Sequence, residues 1–205
     1  MNKTRKKLHV LLDKWGESVN EKGFSRDGVL FKHPDKDERY NKWDEAEKRV
    51  LFIAKEPREN SGDIAEHWVE NYWYAKFQYL YILSVCDANL AITNFADITT
   101  KDKIDARLEN TPFAWINVKK TIGGATANSK EIVEHLKEYG DLLLEQIKIL
   151  KPTDIICLCG NNNCKLRKKL EKLTPKPNIY TAHHPAYRRS LATKYASLKP
   201  TPKCC

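Results

Sequence analysis

The sequence predicts an α/β fold: a three-layer αβα sandwich around a central, mostly parallel, four-stranded twisted sheet. The first observation is a series of four short apolar, β-rich runs separated by longer amphipathic segments. Strands that alternate with helices form right-handed βαβ units, which produce a parallel sheet covered on both faces. The second observation is size, because 205 residues of which 41% are hydrophobic suffice for one domain with a buried core.

The four strands are predicted from apolar runs that are bounded by charged residues, Pro or Gly. They lie at 49–54, 113–118, 154–160 and 178–182. A short additional strand is expected at 29–31, inside a polar stretch over 23–48 that is otherwise predicted to be loop.

Helices are predicted where apolar residues recur at helical spacing. One covers 4–22, and a basic helix covers 163–173. A long helix covers 129–150, with Ser129 as its N-cap and Pro152 just after its end. The aromatic-rich stretch over 62–90 is also compatible with helix.

The chain is predicted to be a single domain over 1–205, with 1–48 as an N-terminal helical extension and 198–205 as a disordered tail. No apolar run approaches the ~20 residues that span a bilayer. The basic N-terminus lacks the apolar core of a signal peptide. We therefore expect a cytoplasmic protein that is monomeric and makes no membrane contact.

The net charge of +9 favours a polyanionic partner, and DNA is the partner expected. Basic residues cluster at 165–172 and at Arg188-Arg189. The chain contains no C-x-x-C pair, P-loop or dinucleotide fingerprint. No cofactor and no metal are therefore expected.

Chemically versatile side chains follow the predicted strands, and parallel sheets bind ligands at the carboxyl ends of their strands. Glu56 follows the first strand and precedes Pro57, while His184 follows the fourth strand in a His-His-Pro turn. A carboxylate and an imidazole held in this way stabilise opposite charges as a bond breaks. Asn117, at the end of the second strand, offers a donor and an acceptor that suit the edge of a base.

Four segments in chain order carry a resemblance to a known family. They are Ala54-Lys55-Glu56-Pro57, the strand 113–119, the helix–Lys–Pro–strand–Gly segment 150–160, and His184-Pro185-Ala186. Together they resemble the signature motifs of the uracil-DNA glycosylase superfamily, over about residues 49–190. The resemblance implies a monofunctional DNA glycosylase that flips a pyrimidine out of the duplex and hydrolyses its N-glycosidic bond.

The resemblance also implies roles for individual residues. Glu56 and His184 are the catalytic pair: Glu56 stabilises the cationic sugar and orients a water, and His184 hydrogen-bonds the departing base. The expected base-binding residues are Asn117, Lys55, Pro57, Arg58, Tyr72 and Trp73. The expected contacts to the DNA backbone are Lys119, His183, Tyr187, Arg188 and Arg189. Lys55 and Lys119 keep a lyase variant open.

Departures from the family pattern leave the substrate open. Ala54 stands where Gly is usual, Ala186 where Ser is usual, and Arg58 where an aromatic residue excludes bases with a 5-substituent. The base is therefore either uracil or a 5-substituted pyrimidine, hydroxymethylated or glucosylated as in phage DNA, and the role is either DNA repair or phage defence. The alternative is a catalytically inactive nucleic-acid or nucleotide binding protein on the same fold.

Overall fold

A computed structural model describes residues 1–19, 23–31, 33, 35–57, 62–64, 112–124, 126–160, 163–184 and 199–200. The helices in these ranges are α1 (Lys3–Ser18), α2 (Lys36–Glu45), α3 (Ser129–Glu138), α4 (Gly140–Leu150) and α5 (Asn163–Leu170). The strands are β1 (Ser25–Arg26), β2 (Gly28–Leu30), β3 (Val50–Ala54), β4 (Gly62–Asp63), β5 (Phe113–Asn117), β6 (Asp154–Cys157), β7 (Asn178–Thr181) and β8 (Lys199–Pro200).

Within the described ranges, six strands form one mixed sheet in the order β2-β5-β3-β6-β7-β8. The four central strands are mutually parallel, and they are the four strands predicted from the apolar runs. The structure thus confirms the α/β class and the mostly parallel sheet. It adds an antiparallel strand at each edge: β2 beside β5 and β8 beside β7. The strands β1 and β4 form a separate short parallel pair.

Both faces of the sheet are buried, as in a three-layer sandwich. Leu51 and Ile53 of β3 belong to the hydrophobic core shared with α1, α3, α4 and α5, so these helices cover what we call the helical face. Phe52 points to the opposite face, where its ring meets Phe113 edge-on at a centroid distance of 5.7 Å and lies near Trp115. All three of these aromatic side chains are buried, so this second face is covered as well.

The segment 1–48, which the sequence predicts as a helical extension, contributes a strand to the sheet and helices to the core. The strand β2 pairs with β5. The helix α2 lies in the stretch that the sequence predicts as loop, so that prediction is wrong there. Asp35 caps its first turn, and the Trp43 indole N–H donates to the Leu150 carbonyl at 2.9 Å. A tertiary contact therefore anchors a helix whose own sequence is strongly polar.

The predicted long helix over 129–150 is two helices, α3 and α4, separated at Tyr139. The N-cap of α3 is Asn128 and not Ser129, because the Asn128 side chain accepts the Lys130 N–H at 3.0 Å. Two further predicted helices end earlier than expected, α1 at Ser18 and α5 at Leu170. The helix-compatible stretch over 62–90 lies outside the described residues except for 62–64.

No helix in the described part of the chain combines the length and the apolar character needed to cross a membrane.

Candidate active site

The candidate site lies at the edge of the sheet where the parallel strands end. Ala54, the last residue of β3, is paired with Asn117, the last residue of β5. Pairing continues beyond the strands, because the Lys119 N–H donates to the Lys55 carbonyl at 2.9 Å. The segments after β3 and β5 therefore leave the sheet side by side. This geometry brings together the residues predicted at these two strand ends.

The Glu56 side chain is buried against the loop that follows β5. It is 3% exposed, and its Oε2 lies 3.5 Å from Lys119 Nζ. Among the described residues no group is placed to donate a well-formed hydrogen bond to this buried oxygen, and the 3.5 Å contact with Lys119 is a long ion pair. The carboxylate occupies the space that a Cβ atom at Gly123 would need. Glycine at 123 is thus a steric requirement of the buried carboxylate.

Lys119 is held inside the site by two carboxylates. Its side chain is 8% exposed, and its Nζ lies 2.9 Å from Glu131 Oε2. Burial by itself lowers the pKa of Lys119, but the hydrogen bond to Glu131 and the negative charges of Glu131 and Glu56 outweigh burial, so the pKa is raised. The ammonium therefore stays charged beside Glu56. This placement favours a role in holding Glu56 over the contact with DNA phosphates predicted from the sequence.

Asn117 is 1% exposed. Its main-chain N–H has a hydrogen-bond partner, whereas its side-chain N–H group has none among the described residues. Its backbone N–H donates to Asp27 Oδ2 at 2.8 Å, which fixes the end of β5. Its side-chain Nδ2 is buried without a hydrogen-bond partner in the described part of the chain. A buried donor left unpaired costs about 1–3 kcal/mol, so a ligand that offers a carbonyl oxygen at this position recovers that free energy.

His184 follows β7, which lies in the same sheet as β5. Its ring meets the edge of Trp115 at a centroid distance of 5.9 Å and an interplanar angle of 74°. Two strands, β3 and β6, separate β7 from β5, so the chain after β7 turns back over the second face to reach Trp115. Trp115 and Asn117 share one face of β5 and are about 6.6 Å apart along the strand. The His184 ring therefore contacts Trp115 on the face of β5 that Asn117 shares.

A fully buried polar network lies on the helical face, next to the site. None of its residues is predicted as a site residue by the sequence motifs. Lys120 Nζ donates to Asp27 Oδ1 and Oδ2 at 2.7 and 2.8 Å and to Gln146 Oε1 at 2.8 Å. Gln146 Nε2 donates to Asp27 Oδ1 at 2.8 Å, and Lys120 Nζ also lies 4.9 Å from the centre of the Trp15 ring. Burial lowers the pKa of Lys120, and the Asp27 charge opposes that effect.

One sequence signal could have revealed this network. Side chains alternate across a strand, and Lys120 keeps the alternation of Ala114 and Ile116, whose side chains lie in the helical-face core. A lysine on that face must be buried, and a buried ammonium needs a carboxylate partner.

The other predicted site residues divide into two groups. Lys55 lies beside the end of β6. Burial raises the pKa of the Cys159 thiol to about 12, and the positive charge of Lys55 partly opposes this effect. Pro57 is buried and His183 is exposed. The remaining predicted residues lie outside the described residues; they are Arg58, Tyr72, Trp73, Tyr187, Arg188 and Arg189.

The site as described combines a buried carboxylate, a buried amide donor and an imidazole near one edge of the sheet. In the described ranges, no group of three or more His, Cys, Asp or Glu side chains is placed to hold a metal ion. Comparisons of the chain with family models, with curated proteins and with solved structures give no match. The resemblance to the uracil-DNA glycosylase superfamily therefore rests on the motif residues alone.

Proposed function

We propose that the protein is a DNA glycosylase that hydrolyses the N-glycosidic bond of a flipped pyrimidine nucleotide. The observation that carries the proposal is the pair of buried, unpaired polar atoms at adjacent strand ends, Glu56 Oε2 and Asn117 Nδ2. Two other buried atoms of the described residues, Arg5 Nε and Trp15 Nε1, also lack a hydrogen-bond partner, but they belong to α1 and not to the ends of paired strands. A ligand at the strand ends that pairs with Glu56 Oε2 and Asn117 Nδ2 explains both atoms. The positive net charge and the motif resemblance point to DNA as the source of that ligand.

Each group has a distinct role in the proposed reaction. Asn117 donates a hydrogen bond to a carbonyl oxygen of the base. As the bond between the sugar C1′ and the base nitrogen breaks, the electron pair leaves with the base and the sugar becomes cationic. Glu56 stabilises that cation electrostatically and accepts a proton from the water that attacks C1′. His184 hydrogen-bonds the departing base, whose negative charge is neutralised by a proton from solvent.

Lys119 makes the Glu56 carboxylate possible in a buried position. An isolated buried carboxylate is costly, and an ammonium beside it offsets part of that cost. The ion-pair distance of 3.5 Å leaves the carboxylate oxygen without a hydrogen bond. Glu56 Oε2 is therefore an acceptor atom available for water.

The test is mass-spectrometric detection of free base after incubation with matched DNA duplexes. The duplexes carry uracil, hydroxymethyluracil, hydroxymethylcytosine or glucosylated cytosine at one position. We expect the wild-type protein to release one of these bases, and we expect Glu56→Gln and His184→Ala to lower the rate by about 100-fold or more. Glu138→Gln, a substitution on the exposed side of α3, is the control and keeps the wild-type rate. Release at the wild-type rate by Glu56→Gln contradicts the proposal.

The second candidate is a nucleic-acid or nucleotide binding protein without catalysis. The specific observation in its favour is that Lys119 already compensates the Glu56 charge. In the same experiment this candidate predicts no free base from any duplex. In a binding measurement with the same duplexes it predicts binding that Glu56→Gln leaves intact and Asn117→Leu weakens.

A further inference from the structure

A groove with a volume of about 330 Å³ lies between α3 and α5, apart from the candidate active site. Its lining residues are Val133, Leu136, Lys137, Lys165, Lys168, Lys169 and Lys172. Five of these seven side chains are lysines, and none is a carboxylate. The buried Leu136 and the half-buried Val133 provide an apolar floor, over which the lysine methylene groups extend.

The lysines along α5 form one continuous row. Lys165, Lys168, Lys169 and Lys172 follow the spacing i, i+3, i+4, i+7, which places them on a single face of the helix. Helical pairing continues beyond α5, because the Lys172 N–H donates to the Lys169 carbonyl at 3.1 Å. The opposite face of the helix is anchored in the core by Leu166 and Leu170. The row therefore lies on the side of α5 away from Leu166 and Leu170, with Lys169 packed across Gly140 of α4.

The positive charge of the groove is largely uncompensated. Lys169 Nζ lies 3.7 Å from Asp141, but that carboxylate is 97% exposed, so solvent screens the pair. The other four lysines of the groove make no ion pair within the described part of the chain. Glu171, the one acidic residue between Lys165 and Lys172, bonds Arg167 at 2.8 Å instead.

We propose that this groove binds the phosphate backbone of a nucleic acid strand, independently of base sequence. Seven residues of helix rise about 10.5 Å, so the row from Lys165 to Lys172 covers about three phosphates at 3.4 Å of axial rise per nucleotide. Lys137 contacts the strand from the opposite wall of the groove. Because α5 packs on the helical face whereas Trp115 and Asn117 share the second face, the groove is a separate site that does not depend on base release.

The experiment measures fluorescence anisotropy of a labelled 20-mer, duplex or single-stranded, at 50, 100 and 200 mM salt. We expect the triple variant Lys165→Gln, Lys168→Gln, Lys172→Gln to raise Kd at least about tenfold. The slope of log K against log salt should fall by up to about three, one for each phosphate that a lysine no longer neutralises. The control triple variant Lys14→Gln, Lys42→Gln, Lys148→Gln removes the same charge from exposed positions on other helices and should retain the wild-type slope.

Two results would overturn the inference. One is an equal loss of affinity in both triple variants, which would mean that binding follows net charge alone. The other is unchanged DNA binding by the groove variant together with abolished binding to poly-L-glutamate, which would mean that the groove takes an acidic peptide. All three altered side chains of the row are on the surface, so circular dichroism melting curves that match the wild type verify folding. If the wild-type protein releases no base, the anisotropy measurement still tests the groove.

Discussion

Two consecutive lysines after β5 enter opposite sides of the sheet and meet different surroundings. Lys120 lies on the helical face, where its Nζ bonds Asp27 and Gln146 at 2.7–2.8 Å and every member of the network is bonded to another. Lys119 lies beside Glu56, whose Oε2 remains unpaired within the described residues, as does Asn117 Nδ2 at the end of the adjacent strand. One cluster is complete, and the other has room for a partner.

The difference separates a cluster that serves the fold from a cluster that serves a ligand. A buried charge that is fully bonded fixes the conformation of the chain around it. A buried polar atom without a partner costs free energy in the unliganded protein. Trp15 Nε1, next to Lys120, also lacks a partner among the described residues, so it is the position at the strand ends, together with the missing bonds, that marks Glu56 and Asn117 as a site. The complete cluster lies directly beneath the incomplete one, because Asp27 bonds both Lys120 Nζ and the Asn117 main chain. We infer that the Asp27–Lys120–Gln146 network holds Asn117 in position.

The largest effect is expected from breaking the complete cluster. Lys120→Met leaves Asp27 buried without its countercharge, and removal of one partner of a buried ion pair typically costs about 3–5 kcal/mol. Denaturant unfolding followed by circular dichroism measures this loss. Lys7→Met, an exposed lysine on α1, is the control and should change the free energy of unfolding by less than about 0.5 kcal/mol. Equal stabilities of the two variants would mean that the network does not support the fold.

The next largest effect is expected from filling the space that the Glu56 carboxylate occupies beside Gly123. A methyl group at Gly123 would collide with the Glu56 carboxylate, whereas one at Gly124 has only the Thr126 carbonyl oxygen nearby, at 4.0 Å. Gly123→Ala should therefore displace the carboxylate and lower the rate of base release by about 10- to 100-fold, since a shift of about 1 Å is enough for such a loss. Gly124→Ala should keep the wild-type rate. The same loss in both variants would show that loop flexibility, and not the position of Glu56, sets the rate.

The parallel core of the sheet could be predicted because burial on both faces leaves a local signature in the sequence. Strands such as Val50–Ala54 are continuous apolar runs, and that pattern needs no knowledge of the partner strand. The helix α2 could not be predicted in this way. Its residues are mostly charged, and what anchors it is the bond from Trp43 to Leu150, 107 residues away. The division at Tyr139 is likewise hidden, because apolar spacing continues across it.

The candidate site shows the same limit. The placement of Glu56 and Asn117 at one edge of the sheet could be predicted because each lies at the end of an apolar run, and parallel strands end at one edge. The partners of Lys120 could not, because Asp27 and Gln146 are 93 and 26 residues away in sequence and only the register of the folded sheet brings them together. The surroundings of Lys119 depend in turn on Glu131 in the following helix, so the sequence predicts a contact with the DNA backbone for a lysine that is buried in the structure.

The most direct test of the central claim compares the stability of two leucine variants by thermal unfolding. Asn117→Leu removes an unpaired buried donor, so we predict a free energy of unfolding equal to or about 1 kcal/mol above that of the wild type. Gln146→Leu removes an amide whose two polar atoms are both bonded, so we predict a loss of about 1–3 kcal/mol. If Asn117→Leu destabilises the protein as much as Gln146→Leu does, the Asn117 amide serves the fold, and its assignment to a bound base is contradicted.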